Sequence, residues 1–264
     1  MALADALLEL QELTARLRTE CPWDREQTPK TIVPHTVEEA YEVADAAQAD
    51  DAAKLLDELG DLLFQVYFLS LLLAERGEGD LEQVARAIHA KLVARHPHVF
   101  GEVEARTAAR VRENWERLKR EQEGREGIFH DVPRGLPALV HARKVQRRAA
   151  AAGFEYADVG AAVGDLDDEL RELKEALAAA GEQTAEAEPD PAVAGEVGDA
   201  LFAAVNVARR VNVDPELALR AASDRFVRRV ELAERLAAAA GEEWVELPLE
   251  AQDRFYDQAK EQLR

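Results

Sequence analysis

Residues 35–73, HTVEEAYEVADAAQADDAAKLLDELGDLLFQVYFLSLLL, decide the fold. Glu38, Glu39 and Glu42 share one helix face by their spacing, and so do Glu58 and Asp61. Beyond Asp61 the segment is apolar almost all round, with Gln65 and Ser70 interrupting residues 62–73. Two acidic edges facing one another beside such a helix hold four carboxylates in one place, which is costly unless a cation joins them. The stretch therefore predicts a helix pair with a cation-binding edge.

The helical period continues outward. Ala, Leu, Glu and Arg dominate, β-branched residues are sparse, and apolar residues recur three and four apart, so the chain is expected to be all-α. The pattern places helices at roughly 3–19, 37–49, 52–76, 81–95, 108–122, 137–151, 159–180, 192–211, 215–240 and 249–262. Start signals accompany three of them: Thr36 with Glu39 as a capping box, Asp80 with Gln83, and Asp214 before Pro215. Residues 123–136, EGREGIFHDVPRGL, concentrate Gly, Pro and charge; they divide the chain into a domain at 1–124, a linker at 125–136 and a domain at 137–264. Residues 181–191, GEQTAEAEPDP, read as a surface loop.

The two halves read as copies. Asp168, Glu169 and Glu172 repeat Glu38, Glu39 and Glu42, while EVGDALF from Glu196 repeats ELGDLLF from Glu58, pairing Asp199 with Asp61. Lys91 and Arg95 are echoed by Arg225 and Arg229, Trp115 and Lys119 by Tyr256 and Lys260, and Trp23 by Phe154. The offset is 130 from Glu38 to Asp168 and 138 from Glu58 to Glu196, and the eight extra residues fall in the loop at 181–191. A repeat of this length is a tandem domain and not a solenoid unit.

Bulk composition narrows the function. With 264 residues and 47% hydrophobic content, each half can bury a core. A net charge of −20 argues against nucleic acid or an anionic membrane as partner, since both demand a positive field. The single cysteine, Cys21, excludes an internal disulfide and fits a reducing compartment. The acidic N-terminal segment is not expected to be a signal peptide, and residues 62–73 are too short to span a bilayer, so a cytoplasmic location is expected.

Carboxylates from two helices suit magnesium, a hard cation that takes oxygen ligands and, beside such a cluster, bridges phosphate oxygens. The plainer reading is a solvated acidic face, with Glu39 merely closing a cap on Thr36; the recurrence of the whole five-position pattern stands against it. Lys91 with Arg95, and Trp115 with Lys119, are each spaced to point together at an anion, with a base lying on the indole. Taken singly these residues read as surface charge and core. The sequence has no E-x-x-H pair, no phosphate-binding loop and no G-x-G-x-x-G, which removes a di-iron carboxylate bundle and the common nucleotide loops. His96 and His98 flank Pro97 in a terminating turn, and Cys21 has no base near it in sequence and is expected to pack.

CPWDREQT from Cys21, HTVEEAYEV from His35, DELGDLLFQV from Asp57, KLVARHPHVFG from Lys91, NWERLK from Asn114, DVPRGLPAL from Asp131 and EVGDALFAAVNVAR from Glu196 together resemble the MazG nucleoside triphosphate pyrophosphohydrolases. The likeness covers nearly the whole chain and corresponds to the two-domain form. It implies two tandem helical-bundle domains of the all-α NTP pyrophosphatase type, an intertwined homodimer, a magnesium requirement, and hydrolysis of NTPs or dNTPs to monophosphate and pyrophosphate. By motif position it implies Glu39, Glu42, Glu58 and Asp61 as metal ligands of the first site, and Glu169, Glu172, Glu196 and Asp199 as those of the second. Catalytic water handling falls to Glu38 and Glu39 in one copy and to Asp168 and Glu169 in the other. Nucleotide contacts fall to Lys91, Arg95, Trp115 and Lys119, and to Arg225, Arg229, Tyr256 and Lys260.

Departures from the pattern lie in the second copy: Asp168 where Glu is expected, Arg225 for Lys, and Tyr256 for Trp. The first shortens a carboxylate, and the other two retain charge and stacking. Few groups are suited to reading a base edge, so broad base tolerance and a housekeeping or stress role are expected. Two rivals remain open at this stage: a nucleotide- or partner-binding regulatory module with little turnover, and a helical bundle whose acids are surface decoration.

Overall fold

The structure, a computed structural model, describes residues 2–101, 127–130, 132–133, 135–181 and 188–264. Among them every regular element is a helix and no strand occurs, as expected of an all-α chain. The helix expected at 108–122, and with it Trp115 and Lys119, lies outside the described residues. Contacts divide the chain into two units, Met1–Gly124 and Arg125–Arg264.

The first unit comprises α1 (Ala2–Glu20), α2 (Pro22–Glu26), α3 (Pro29–Gln48), α4 (Ala52–Glu75), α5 (Leu81–Arg95) and the single turn α6 (Pro97–Phe100). Its principal packing joins α3 to α4, antiparallel across a short turn, with α1 against α2 and α4. Ile32 of α3 meets Phe68 and Leu72 of α4, flanked by Phe64 and Leu69. Each such side chain, fully buried, contributes about 1.5–3 kcal/mol. Arg18 ties the end of α1 to the end of α4: its Nε and Nη2 donate to the two Glu75 oxygens at 2.7 and 2.9 Å. Its Nη1 donates to the carbonyls of Asp24 and Gln27, and the guanidinium carbon lies 6.0 Å from the Phe68 ring centre.

The expected start of α3 at 37 is wrong. Thr28 caps the helix: its Oγ1 accepts from Thr31 N–H at 3.3 Å while its own N–H donates to Thr31 Oγ1 at 2.8 Å, a reciprocal box closed by Thr in place of Glu. Pro29 takes the first helical position, and Pro34, which reads as a breaker, lies inside the helix. Pro34 removes one backbone bond, to the Lys30 carbonyl, while the buried Ile32 and Ala46 anchor the helix on either side. Thr36 is therefore interior, and its hydroxyl donates to Gln65 Oε1 on α4 at 3.2 Å instead of capping. The other two start signals hold: Asp80 accepts from Gln83 N–H at 2.8 Å, and Asp214 accepts from the N–H groups of Glu216 and Leu217 at 3.1 and 3.2 Å. His96 ends α5 with its Nδ1 2.6 Å from the Leu92 carbonyl, the terminating turn its sequence suggests.

The second unit comprises α7 (Ala138–Ala151), α8 (Val159–Ala180), α9 (Pro191–Arg210), α10 (Pro215–Ala239), a 3₁₀ turn (Trp244–Glu246) and α11 (Leu249–Gln262). Its main pairs are α8 with α9 and α10 with α11, and α7 touches both α9 and α10. The α10–α11 seam is built of small residues, Ala233, Ala237, Ala251 and Ala259, all buried. The start of α8 mirrors that of α3: Asp158 caps it as Thr28 caps α3, and Ala162 and Ile32, 130 positions apart, are each 1% exposed. Among the described residues no helix is long and apolar enough to cross a membrane.

Candidate metal centres

The first centre follows from the α3–α4 hairpin. Glu39 faces out of α3 toward the start of α4, where Glu58 and Asp61 lie one turn apart, and one oxygen from each of the three lies within 4.8 Å of the others. Glu58 is buried, Glu39 half-buried and Asp61 exposed. Glu42, one turn along α3, hydrogen-bonds Glu39 and adds its charge to Glu58. Burial, and then the charges of Asp61, Glu42 and Glu58, push the Glu39 carboxyl above its ordinary range. Burial and then Glu42 do the same to Glu58, opposed by Lys54 Nζ at 3.9 Å. Glu38 points to the exposed side, 3.6 Å from His35 Nδ1, and His35 meets the Trp23 ring edge-on at 5.6 Å.

The second centre repeats the first on α8 and α9. Oxygens of Glu169, Glu196 and Asp199 again lie within 4.8 Å of one another. Burial, and then Asp199, Glu172, Asp165 and Glu196, raise the Glu169 carboxyl, so every charge acting strongly on it is negative. Glu172 and Asp168 are exposed on α8 and share Arg171, at 3.2 and 3.3 Å. Each centre thus offers oxygen donors only, crowded so that their ionised forms repel. That donor set fits a hard divalent cation such as magnesium.

The cations lie on other helices. Lys91 is exposed and Arg95 buried on α5. In the second unit Arg225 and Arg229 lie on α10 and Tyr256 and Lys260 on α11, joined by Phe226 and Tyr256, whose ring centres are 6.0 Å apart. Neither Lys91 nor Arg95 is among the charges acting most on Glu39 and Glu58. The structure therefore brings the carboxylates together on α3–α4 and α8–α9, and places the second-copy cations on α10 and α11, two helices that pack against each other.

Sequence reasoning missed a polar group beside the second centre. The Tyr156 hydroxyl hydrogen-bonds Asp165 and is pushed up to about 12, by burial first and by Asp165 second. Arg209 grips both oxygens of Glu155 at 2.7 Å, and Gln146 and Asn206 line the cavity behind. Isolated amides at no recurring spacing carry no signal in sequence. Only Phe154, the counterpart of Trp23, pointed here.

Residues 27–100, which span Glu39 to Asp61, match the MazG nucleotide pyrophosphohydrolase domain. Over 262 residues the chain is 40% identical to the nucleoside triphosphate pyrophosphohydrolase of Escherichia coli (strain K12), covering 98% of this chain and 97% of that protein. The chain belongs to the MazG family. It is likewise 36% identical over 257 residues to the nucleoside triphosphate pyrophosphohydrolase/pyrophosphatase MazG of Thermotoga maritima, across 96% of this chain and 94% of that one. Bacillus subtilis YabN is 35% identical over 246 residues, which are 92% of this chain and 49% of YabN. The MazG likeness therefore runs through the second acidic centre as well as the first.

Proposed function

We propose that the chain is a magnesium-dependent nucleoside triphosphate pyrophosphohydrolase, taking NTPs and dNTPs to the monophosphate and pyrophosphate. The observation that carries this reading is the pair of carboxylate clusters, one per unit, in a chain that matches proteins named for that activity from end to end. The units are read as two MazG-like domains, 1–124 and 137–264, joined at 125–136. A cytoplasmic location is part of the proposal.

Bound at either cluster, magnesium supplies positive charge to phosphate oxygens and lowers the pKa of a water. We assign Glu39, Glu42, Glu58 and Asp61 to hold it in the first unit, and Glu169, Glu172, Glu196 and Asp199 in the second. Glu38, on the exposed side beside Glu39, accepts the proton of the attacking water on a carboxylate oxygen. Asp168 has that role in the second unit with one methylene less. Lys91, Arg95, Arg225 and Arg229 hold the phosphate charge, while Trp115 with Lys119, and Tyr256 with Lys260, serve the nucleoside end. Holding the substrate by its phosphates favours broad base tolerance and a housekeeping or stress role in nucleotide pools.

A homodimer is supported by α4, where Leu56, Leu59, Leu63 and Val66 form an exposed stripe at heptad-like spacing. One observation favours a second reading for the second unit alone: Arg171 already engages Asp168 and Glu172, so that unit binds nucleotide with little turnover. The test is Glu42→Gln and Glu172→Gln, singly and together, assayed for pyrophosphate release with magnesium. Loss in the double variant at unchanged helical content is expected, and the single variants divide the activity between units. Full activity in the double variant refutes the assignment.

A further inference from the structure

Arg148 stands 130 positions after Arg18, the offset that relates Glu38 to Asp168, and each lies in the last turn of the first long helix of its unit. Arg18 uses all three guanidinium nitrogens, on Glu75 and on the carbonyls of Asp24 and Gln27. Arg148 is 8% exposed, yet its guanidinium makes no hydrogen bond or ion pair with any of the described residues. The same position thus holds a satisfied cation in one unit and a bare one in the other.

A missing turn of helix removes the anion. α9 has 20 residues where α4 has 24, and the offset drops from 138 at Glu58 to 134 at Asp80, which corresponds to Asp214. At 134, Glu75 corresponds to Arg209 and Arg76 to Arg210, so two cations stand where the first unit places the partner of Arg18. Both reach Glu155, four residues past the end of α7, at 2.7 and 3.6 Å. That carboxylate is already shared, and Arg210 Nε is still buried without a partner among the described residues. Asp214, at the start of α10, is taken by Arg143.

Burying a cation without a counter-ion is costly, and arginine cannot shed its proton to escape. The Arg148 guanidinium is not sealed, as Arg210 Nε is, so a solute can reach it. α7 carries Arg143, Lys144, Arg147 and Arg148 and no acid, a local positive field in a chain of net charge −20. That overall charge repels a large polyanion, whereas a small anion responds to the charges within about 8–10 Å. A guanidinium fork matches paired phosphate oxygens. We propose that the basic corner where the ends of α7 and α9 meet binds a small oxyanion of the phosphate class, with Arg148 as its principal donor. Arg209 lies ten residues past Asp199 on α9, about 15 Å along the axis, so the site is distinct from the second carboxylate centre and needs no metal.

The test uses the full chain with chelator and no metal, at an ionic strength fixed with sodium chloride, titrated calorimetrically with inorganic phosphate or with pyrophosphate. Saturable binding is expected, with a melting temperature a few degrees higher at saturation. The tighter of the two anions names the source: free phosphate, or the product of the proposed reaction. Arg148→Met, which keeps the apolar stem, is expected to weaken binding at least about tenfold, and Arg148→Lys, which keeps the charge and loses the fork, about three- to fivefold. The lysine variant carries the test if the methionine variant does not fold. Arg225→Ala with Arg229→Ala, which removes the phosphate-holding pair on α10, is expected to leave binding in place. No saturable binding of either anion, an affinity that neither Arg148 variant moves, or loss of binding in the α10 variant overturns the site, and pyrophosphate release by the wild-type chain stands in each case.

Discussion

Arg171 Nη2 lies 3.3 Å from Asp168 Oδ1, so the residue that replaces Glu38 in the second copy already has a cation beside it. The same guanidinium reaches Glu172 and Glu175 at 3.2 and 3.0 Å. At the offset of 130 the first copy has Tyr41 in that place, and Glu38 lies 3.6 Å from the His35 ring nitrogen. Exposed pairs of this kind add little to folding, but Arg171 competes with metal and water for the same oxygens. Arg171→Tyr should leave the urea midpoint unchanged and tighten magnesium binding at the second centre several-fold. Calorimetry on a chain with Glu42→Gln reads the second effect, and an unchanged or weaker affinity would count against the competition.

Arg18 holds the first unit differently, because its guanidinium is mostly covered and spends its donors on Glu75 and on two carbonyls. Arg18→Ala should cost about 2 kcal/mol in urea unfolding, through lost charge-assisted bonds and exposed carbonyls. The Arg18 hydrogen bond holds the Glu75 carboxyl below its ordinary range. This contribution is full above the unfolded value and is lost as pH falls through the lowered folded one. Acid titration of wild type and Arg18→Ala should therefore converge at low pH, and parallel curves would contradict it.

The clusters have the opposite sign. Glu39, Glu58 and Glu169 are all raised in the folded chain, so without metal the folded state binds more protons than the unfolded one. Metal-free stability should fall as pH rises from the unfolded carboxyl value through the raised ones. Magnesium should restore it at neutral pH and lose its effect in acid, where protons occupy the same oxygens. Melting temperature against pH, with chelator or with magnesium, measures both arms. A metal effect independent of pH would show that the ion sits elsewhere.

Much of this was readable because each copy constrains the other. Asp80 and Asp214 declare helix starts by side-chain oxygens that accept from N–H groups two or three residues on, and such local signals need no tertiary context, although the other Asp214 oxygen also takes Arg143 Nη1. The start of α3 is hidden in the sequence because Thr36 with Glu39 imitates a capping box. The repeat held the correction: α8 starts at Val159, and 130 residues earlier stands Pro29, where α3 begins. The offset of 130 that relates Glu38 to Asp168 relates these two helix starts as well. Gln146 was beyond reach, since its meaning depends on the Phe202 carbonyl, a contact made only when α7 and α9 pack, while Asn206 bonds Arg209 one turn along α9 at a spacing that carries no signal of its own.

The most direct measurement is product analysis of the wild-type chain with magnesium and a mixture of NTPs and dNTPs, resolving nucleotides and phosphate species by phosphorus NMR. Monophosphates with pyrophosphate in equal amounts are the predicted result. Diphosphates with orthophosphate, or no product from any nucleotide, would contradict the account.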